Sequence, residues 1–533
     1  MTESKRILWL LVAAHLVLSG TLILFNPHAH WLDDGYYTLT IARNIGQNMG
    51  ITYGGFPTNG FQPLYGFLIA PLMTVGGGHP DLMIKLALLL MAVCSAGLMI
   101  VLYNLALKLV DKRAAIVTAA LVAVNANLFT HVLSGLETAL HGLLFWLFVA
   151  CYLKYRETPS VKKQALLGIL LGLTAYARFD TVFLFFAVAA DMLWRYRREP
   201  LRLIRRGLAL FAPALVLLSP WFIWSVYTFG VFTQSSGSFH RWRGLVRQDI
   251  PESVGGMIKF AVVKLASLGI KLPLEPLFGY EGLMRLLARS LLGGERMQTG
   301  FLWQLWQQNS LAAIGLLLIG LAVLAVLVVW GREGLRRIVR LRPLWFVLVA
   351  LAGAAVYYPL YQLNYSMRHF FPYSIGLALL LGAFFSGFAD RNLLRNSRVR
   401  WVVMILIMTL LAAPGLSVWM HNAEPVEAKR ISAKLSQYTE PGARIGYTDC
   451  GVFGYYAADR VIVNLDGILN FEALHEMQQG DIGDYLVRHD IGYVLYLHNF
   501  KAEFAEQWNT KIAPRVQPVD SLDWLYRVVG DAP

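Results

Sequence analysis

The chain has 533 residues, of which 56% are hydrophobic and 15% are charged, and it carries a net charge of +14. Soluble domains contain about a quarter charged residues, so this composition excludes a soluble enzyme and a disordered protein. Three cysteines, Cys94, Cys151 and Cys450, are too few for a disulfide scaffold or a multi-cysteine metal site. The composition indicates an integral membrane protein with several spans.

Eleven segments are long and apolar enough, or nearly so, to cross a bilayer, which takes about 20 residues. The first follows Lys5 and Arg6 like a signal sequence, but its length and flanking residues predict an uncleaved anchor. The predicted spans are Ile7–Phe25, Leu82–Leu107, Ala114–Thr130, Ala139–Leu153, Gln164–Ala177, Thr181–Trp194, Gly207–Phe229, Ser310–Trp330, Leu344–Tyr361, Pro372–Ala389 and Trp401–Met420.

The basic residues are distributed unevenly along the chain. About half of the 47 Lys and Arg residues lie in six short segments, whereas the first long loop, residues 26–81, contains only Arg43. Because positively charged loops stay in the cytoplasm, we expect a cytoplasmic N-terminus and, after eleven spans, an external C-terminus. The basic balance therefore reflects membrane orientation and does not indicate nucleic-acid binding. The basic segments are 1–6, 108–113, 154–163, 195–206, 331–343 and 390–400.

Residues 422–533 have a different character, with 10 basic and 16 acidic residues. Their patterning predicts a small soluble α/β domain outside the cytoplasm, following a membrane module over residues 1–421. A second long outer loop, residues 230–309, contains amphipathic stretches such as Met257–Leu268, which we expect to lie along the membrane surface. The predicted elements of the tail are helices Val426–Tyr438 and Asp481–His489 and strands Arg444–Tyr447, Val461–Leu465, Tyr493–Leu497 and Trp524–Val529.

Ionisable residues at the predicted outer ends of spans are functional candidates, because charge at a bilayer is costly. Two adjacent carboxylates, Asp33 and Asp34, follow the first span and could accept a proton from an attacking hydroxyl. The alternative is that they cap a helix over Tyr36–Asn48. The full set is Asp33, Asp34, Arg43, Glu137, Arg178, Asp180, Arg368 and His369.

The later candidates also have two interpretations each. Glu137 either contacts a substrate or caps the fourth span, and Arg178 either binds a ligand or pairs with Asp180 to staple a turn. Arg368 and His369 would suit a phosphate group whose lipid tail lies in the bilayer. The alternative is that the long side chain of Arg368 only places its charge at the membrane–water interface.

The arrangement as a whole resembles the GT-C glycosyltransferases, polytopic membrane enzymes that use polyprenyl-phosphate-linked sugars. Within that superfamily it is most similar to bacterial mannosyl-, aminoarabinose- and arabinofuranosyl-transferring groups. The motifs that carry the resemblance are Asp33-Asp34-Gly35-Tyr36-Tyr37, Thr58-Asn59-Gly60-Phe61-Gln62-Pro63-Leu64-Tyr65, Ser134-Gly135-Leu136-Glu137-Thr138, Arg178-Phe179-Asp180 and Arg368-His369-Phe370-Phe371-Pro372.

The resemblance implies a role for each matching residue. Asp33 would be the catalytic base, with Asp34 orienting it or sharing the proton, and Glu137 would contact the acceptor or donor sugar. Arg178 and Arg368 would hold the lipid phosphate, with Asp180 and His369 beside them in the substrate-binding site. Many relatives carry an aromatic residue at the position of His369 and a proline at that of Phe179, so these two positions depart from the pattern.

The resemblance also implies the partners: a polyprenyl-phosphate-linked sugar, the lipid bilayer, and a glycan, glycolipid or protein acceptor at the outer face of a bacterial inner membrane. Several relatives use a divalent cation, but two adjacent aspartates and a remote glutamate are too few to assign metal ligands here. Two other functions stay open. A flippase or transporter for lipid-linked glycans would place charges at the bilayer midplane and contain inverted repeats, and an O-antigen polymerase or ligase would carry a long basic loop late in the chain.

Overall fold

The computed structural model describes residues 3–28, 31–75, 79–158, 160–247, 251, 253–278, 332–387, 426–497, 502–520 and 522–529. Two predicted spans, Ser310–Trp330 and Trp401–Met420, lie outside these residues. The helices up to residue 387 are α1 (Glu3–Phe25), α2 (Asp33–Gly46), α3 (Pro63–Val75), α4 (Pro80–Leu109), α5 (Lys112–Ala123), α6 (Ala126–Val132), α7 (Thr138–Tyr155), α8 (Val161–Ala177), α9 (Val182–Tyr196), α10 (Pro200–Phe229), α11 (Ser235–Arg247), α12 (Val254–Phe278), α13 (Arg332–Ile338), α14 (Trp345–Val356) and α15 (Phe371–Ser386).

The described part of the chain contains six helical segments that are long and apolar enough to cross a membrane. They overlap six of the predicted spans, and each extends beyond at least one predicted end. The prediction of about eleven spans stays a prediction. The six segments are Glu3–Phe25, Pro80–Leu109, Thr138–Tyr155, Pro200–Phe229, Arg332–Gln362 and Met367–Ser386.

The prediction that the third span, Ala114–Thr130, is a single helix is wrong. It is divided into α5 and α6, because the side chain of Asn125 accepts a hydrogen bond from the backbone N–H of Leu128 at 2.8 Å and begins a new helix. A capping asparagine accepts a backbone N–H group that has no partner inside the new helix. The helix therefore breaks at Asn125 although the sequence on both sides stays apolar.

The first outer loop contains two helices and a short hairpin, formed by antiparallel strands β1 (Thr52–Tyr53) and β2 (Phe56–Pro57). Helix α2 is buried on two sides. Tyr36 and Leu39 pack into the core of the membrane helices, whereas Tyr37 and Ile41 belong to a second core that includes the tail. This helix therefore lies between the membrane part and residues 426–529.

The tail contains a five-stranded mixed sheet in the order β4-β3-β5-β7-β6. Strand β3 pairs in parallel with β4 and β5, and β7 pairs antiparallel with β5 and β6. The elements are α16 (Val426–Tyr438), β3 (Arg444–Tyr447), α17 (Gly451–Tyr456), β4 (Val461–Asn464), α18 (Phe471–Gln479), α19 (Ile482–Arg488), β5 (Tyr493–Leu495), α20 (Ala502–Gln507), β6 (Val516–Pro518) and β7 (Leu525–Val528).

Hydropathy patterning located two of these helices, α16 and α19, and four of the strands, but the sequence analysis missed α17, α18, α20 and β6. The tail is also less separate than its composition suggests, since Ile445 and Phe453 share a core with Phe61, Trp221 and Phe239 of the outer loops and α10. Independent folding of residues 422–533 stays a prediction.

A buried carboxylate joins several helices far from the tail. Asp191 of α9 accepts hydrogen bonds from the hydroxyl of Tyr152 at 2.9 Å, Nε1 of Trp345 at 3.0 Å and Nε of Arg195 at 2.7 Å. A buried carboxylate needs such partners to offset its desolvation. Some charges near the predicted cytoplasmic ends therefore connect helices in addition to orienting the chain.

Close packing at Gly60 leads to a testable prediction. A Cβ atom there would collide with the carbonyl oxygen of Ile468 and lie 2.6 Å from Oγ of Ser235. Gly60→Ala should lower the free energy of unfolding by about 1–3 kcal/mol, since the tail must move away from the first loop. Thermal unfolding of the purified chain in detergent measures this change.

Gly207→Ala in α10 is the matched control, because no atom lies within 4 Å of the added methyl group. Alanine favours a helix over glycine, so this variant should be as stable as the wild type or slightly more so. Equal melting temperatures for Gly60→Ala and Gly207→Ala would show that the tail does not approach the loop this closely.

Candidate active site

One large cavity, with a volume of about 880 Å³, lies where the first outer loop, the membrane helices, α11 and the tail meet. Most of the predicted site residues line it, although they come from positions more than 300 residues apart. The predicted residues on its wall are Asp34, Glu137, Arg178, Asp180, Arg368 and His369.

The buried guanidinium of Arg178 is enclosed by two carboxylates. Nη1 donates to Oε1 of Glu137 at 2.6 Å, Nη2 donates to Oδ2 of Asp180 at 2.9 Å, and Nε donates to the same oxygen at 3.1 Å. The side chains of Arg178 and Glu137 are only 6% and 5% exposed. All three nitrogens of this arginine therefore have acceptors within the protein, which corresponds to the stapling interpretation of Arg178 and Asp180.

Asp180 connects this ion cluster to the last described membrane helices. The hydroxyl of Tyr358 donates to Oδ2 of Asp180 at 2.7 Å, and the ring of His369 lies 4.4 Å from that of Tyr358. Burial alone would raise the pKa of Asp180, but the guanidinium of Arg178 holds it well below its usual range. Asp180 is therefore an acceptor of hydrogen bonds and a poor candidate for a proton carrier.

A tight turn before α7 presents Glu137 to Arg178. Gly135 has a φ of +74°, and a Cβ atom there would lie 2.6 Å from the ring of Trp31, so the turn favours glycine for two reasons. Glu137 occupies the N-cap position of α7, but its side chain makes no capping bond. The predicted capping role for Glu137 is therefore wrong, because Arg178 binds its carboxylate instead.

Asp34 and Arg368 form an ion pair at the cavity wall. Nη1 of Arg368 lies 2.8 Å from Oδ2 of Asp34, and the two side chains are 19% and 37% exposed. Nε of Arg368 is buried and has no hydrogen-bond acceptor among the described residues. Unlike Arg178, this arginine keeps an N–H group that no described residue accepts.

Asp33 is turned away from the cavity and is not among the described residues that line it. Its two carboxylate oxygens accept the backbone N–H groups of Gly451 and Val452, each at 2.9 Å, where α17 begins. The two aspartates do not cap their own helix, since the N-cap of α2 is Leu32 and both lie in its first turn. Asp33 caps a helix of the tail instead.

Arg43 holds the other end of the same short helix. Its Nη1 and Nη2 donate to the carbonyl oxygens of Tyr455 and Gly454 at 3.0 and 2.9 Å. An anion at the start of a helix and a cation at its end both complement the helix dipole. Helix α2 therefore docks α17 through charges at both ends, which explains two of the outer charges without a substrate.

Further cavity residues come from α11, and sequence reasoning missed them. Arg241 donates to the carbonyl oxygen of Tyr361 and lies over the ring of the same tyrosine at 4.4 Å. Nδ1 of His240 is 2.9 Å from Nδ2 of Asn364. The signal is the run of basic and aromatic residues at 239–243, which lies within the predicted outer loop of residues 230–309.

The motif around Asn59 supports this side of the cavity. Its Nδ2 donates to Oγ of Ser225 at 2.7 Å, and its Oδ1 accepts the N–H of Ser235 at 2.9 Å. Ser235 in turn donates to the carbonyl oxygen of Ile468 at 2.7 Å. These bonds join the first loop, the end of α10, the start of α11 and the tail at one point.

No group of three or more His, Cys, Asp and Glu side chains within the described ranges is arranged to hold a metal ion. We therefore assign no residue of this site to a cation.

The environment of Asp33 yields a prediction for the pH dependence of stability. Burial raises its pKa to about 6, although the N–H groups of Gly451 and Val452 lower it, and the carboxylate of Asp449 raises it again. The folded state then holds a proton that the unfolded state loses near pH 4, so this group stabilises the fold most at low pH. Its contribution should fall by about 2 kcal/mol between pH 4 and pH 7.

Asp33→Asn should remove this dependence, whereas Asp34→Asn should keep it. Melting temperatures of both variants and the wild type between pH 4 and pH 7 measure the effect. A constant difference in stability between the wild type and Asp33→Asn across this range would contradict the burial of Asp33.

Comparisons with known proteins bear on the family. Residues 62–224 match the model of the dolichyl-phosphate-mannose-protein mannosyltransferases, and residues 419–526 match a domain of unknown function (DUF8728). No curated protein matches the chain.

Among solved structures, the chain is similar to ArnT from Cupriavidus metallidurans in the apo state, with 14% identity, full coverage of both chains and a TM-score of 0.47. ArnT from the same organism bound to undecaprenyl phosphate gives 15% identity, full coverage of both chains and a TM-score of 0.46. The Archaeoglobus fulgidus oligosaccharyltransferase gives 13% identity over 90% of this chain and 67% of its own, with a TM-score of 0.48. The mannosyltransferase match over residues 62–224 confirms the resemblance to the GT-C glycosyltransferases that the short motifs indicated.

Proposed function

We propose that the chain is an inverting membrane glycosyltransferase, which transfers a sugar from a polyprenyl-phosphate donor to a hydroxyl group of a cell-envelope glycan, lipid or protein. The observation that carries the proposal is the meeting of Asp34 and Arg368 at the wall of one cavity. One supplies a carboxylate that can accept a proton, and the other supplies a guanidinium that suits a phosphate. The family that matches residues 62–224 is named for a dolichyl-phosphate-mannose donor, which is a substrate of this class.

The reaction is a single displacement at the anomeric carbon of the donor sugar. The acceptor oxygen forms a bond to that carbon while the bond from the carbon to the phosphate oxygen breaks. Asp34 takes the proton of the acceptor hydroxyl, and the bonding electrons leave with the polyprenyl phosphate. Positioned N–H and O–H groups stabilise the negative charge that develops on the leaving phosphate. We assign this role to the guanidinium of Arg368.

We assign the role of the base to Asp34 and no longer to Asp33. Both oxygens of Asp33 are occupied by backbone N–H groups of the tail, whereas Asp34 lines the cavity. A base must come within hydrogen-bonding distance of the proton that it removes, and this requirement favours Asp34.

The proposed contacts to the donor phosphate also change, since Arg368 keeps this role and Arg178 loses it. Arg178 would have to leave both Glu137 and Asp180 to bind a ligand, and a buried charge is costly to separate from its partners. We assign the cluster of Glu137, Arg178 and Asp180 to the rigid wall of the site. Arg241 of α11, which also lines the cavity, is the second cation that we assign to the donor phosphate.

The remaining wall of the cavity suits a lipid. Its apolar lining includes aromatic side chains of α9, α10 and the segment after α10, and several exposed apolar residues of these helices face outward. A polyprenyl chain in the bilayer could reach the charged wall from this side. The aromatic members are Phe183, Phe186, Phe222 and Phe232.

We place the site at the outer face of a bacterial inner membrane, with a cytoplasmic N-terminus, because basic residues are concentrated in the predicted inner segments. A flippase and an O-antigen polymerase or ligase remain the alternatives. A flippase would leave Asp34 without a role as a base, so substitution of Asp34 distinguishes a flippase from the proposal. A polymerase or ligase also transfers sugars to a hydroxyl group, and the lipid-linked donor that the protein accepts distinguishes it from the proposal.

Substitution of Asp34 tests the proposed chemistry. Asp34→Asn keeps the shape of the side chain but cannot accept a proton at neutral pH, so turnover should fall about 10²–10⁴-fold. The measurement is release of polyprenyl phosphate by purified protein from a panel of polyprenyl-phosphate sugars, with lipopolysaccharide core, teichoic acid and peptide acceptors.

Asp33→Asn is the matched control at the neighbouring position. The folded fraction of this variant should keep turnover within about tenfold of the wild type, because its side chain binds the tail. Normal turnover in Asp34→Asn together with a large loss in Asp33→Asn would return the base to Asp33. Normal turnover in both would show that neither aspartate is the base. Absence of lipid phosphate release by the folded wild type with every donor and acceptor of the panel would contradict the glycosyltransferase proposal.

The proposed orientation has its own test. Lys434 in α16 and Arg198 after α9 are both exposed, so a cysteine at either position is accessible to a reagent. In spheroplasts, a membrane-impermeant maleimide should label Lys434→Cys but label Arg198→Cys only after lysis.

The wild type is the control for background labelling, since Cys94 and Cys450 are buried and Cys151 is partly buried. Labelling of Arg198→Cys in intact spheroplasts, with protection of Lys434→Cys, would mean that the chain has the opposite orientation.

A further inference from the structure

The Asp34–Arg368 pair joins two groups that the proposed reaction uses on different substrates. Asp34 would act on the acceptor hydroxyl and Arg368 on the donor phosphate, yet the structure shows them 2.8 Å apart and bound to each other. A donor phosphate that binds Arg368 must compete with Asp34 for the same guanidinium.

Arg368 is suited to such an exchange in a way that Arg178 is not. Arg178 is held by two carboxylates through three of its nitrogens and is 6% exposed. Arg368 pairs with Asp34, and its buried Nε has no acceptor in the part of the chain that the structure describes. An acceptor with several oxygens, such as a phosphate, could satisfy both Nε and the terminal nitrogens.

The exchange would change the chemistry of Asp34. A carboxylate that is paired with a guanidinium accepts a proton less readily than the same carboxylate without that partner. When the phosphate takes Arg368, Asp34 therefore becomes a better acceptor for the proton of the incoming hydroxyl. The pair would suppress proton transfer until the donor is in place.

We infer that Arg368 exchanges its ion pair with Asp34 for one with the donor phosphate. Binding of the lipid-linked sugar thereby activates the base, and it precedes deprotonation of the acceptor. This inference rests on the proposed function, and it adds the order in which the groups act. After transfer, Asp34 carries the proton and no longer attracts Arg368 as an anion. The phosphate product then keeps Arg368 until Asp34 loses its proton to solvent, which restores the ion pair and releases the lipid.

Binding of undecaprenyl phosphate to the purified full-length chain in detergent tests this exchange. Asp34→Asn removes the competitor for Arg368, so the dissociation constant should fall about threefold to tenfold, the range expected from loss of one partly exposed ion pair. Arg368→Ala should raise the dissociation constant at least tenfold, because charge-assisted bonds to the phosphate are lost.

The double variant Asp34→Asn/Arg368→Ala distinguishes competition for Arg368 from general removal of negative charge. If Asp34 acts through Arg368, its substitution should have no effect once the arginine is absent, and the double variant should match Arg368→Ala within about twofold. Asp34→Ala serves as a second variant at the same position, with the same expected tightening, and melting temperatures confirm that each protein is folded.

Two results would overturn the inference. If the wild type binds undecaprenyl phosphate through Arg368 but Asp34→Asn and Asp34→Ala bind it no more tightly, the exchange is wrong while the proposed function stands. If Asp34→Asn also tightens binding in the Arg368→Ala background, the effect is general electrostatics. Failure of the folded wild type to bind undecaprenyl phosphate would overturn both the exchange and the lipid-phosphate donor.

Discussion

A charge that is buried near a bilayer must have a partner, and this constraint determines which groups of the cavity are available to a substrate. Arg178 satisfies it completely, since Glu137 and Asp180 lie within hydrogen-bonding distance of its nitrogens. Arg368 satisfies it only in part, because its Nε lacks an acceptor among the described residues. Two arginines that look equivalent in the sequence therefore have different roles in our proposal: the first is structural and the second meets the donor.

Helix α2 connects this charged wall to the tail. Asp33 and Arg43 of this helix bind the two ends of α17. Asp34, the residue after Asp33, lines the cavity instead. The tail also contributes Ile468 and Gln478 to the cavity lining. The tail and the candidate catalytic carboxylate therefore contact the same helix, α2.

Hydropathy and charge placed most of the described membrane helices and the main strands of the tail, because both signals are local. They also grouped Asp34, Glu137, Arg178, Asp180, Arg368 and His369, since charges at the outer ends of spans share one side of the membrane. The choice between Asp33 and Asp34 could not be made in this way. Neighbouring residues on a helix point about 100° apart, and only the position of α17 decides which carboxylate is occupied. The contribution of Arg241 depends on tertiary contacts in the same way, whereas the break at Asn125 comes from a local helix cap that the hydropathy pattern does not show.

The most direct test of the proposed site is an experimental structure of the full chain with undecaprenyl phosphate bound. We expect a phosphate oxygen within about 3 Å of the Arg368 guanidinium, separation of Arg368 from Asp34, and an unchanged cluster of Glu137, Arg178 and Asp180. A phosphate bound to Arg178, or one bound outside the cavity while Asp34 and Arg368 remain paired, would contradict the proposed site.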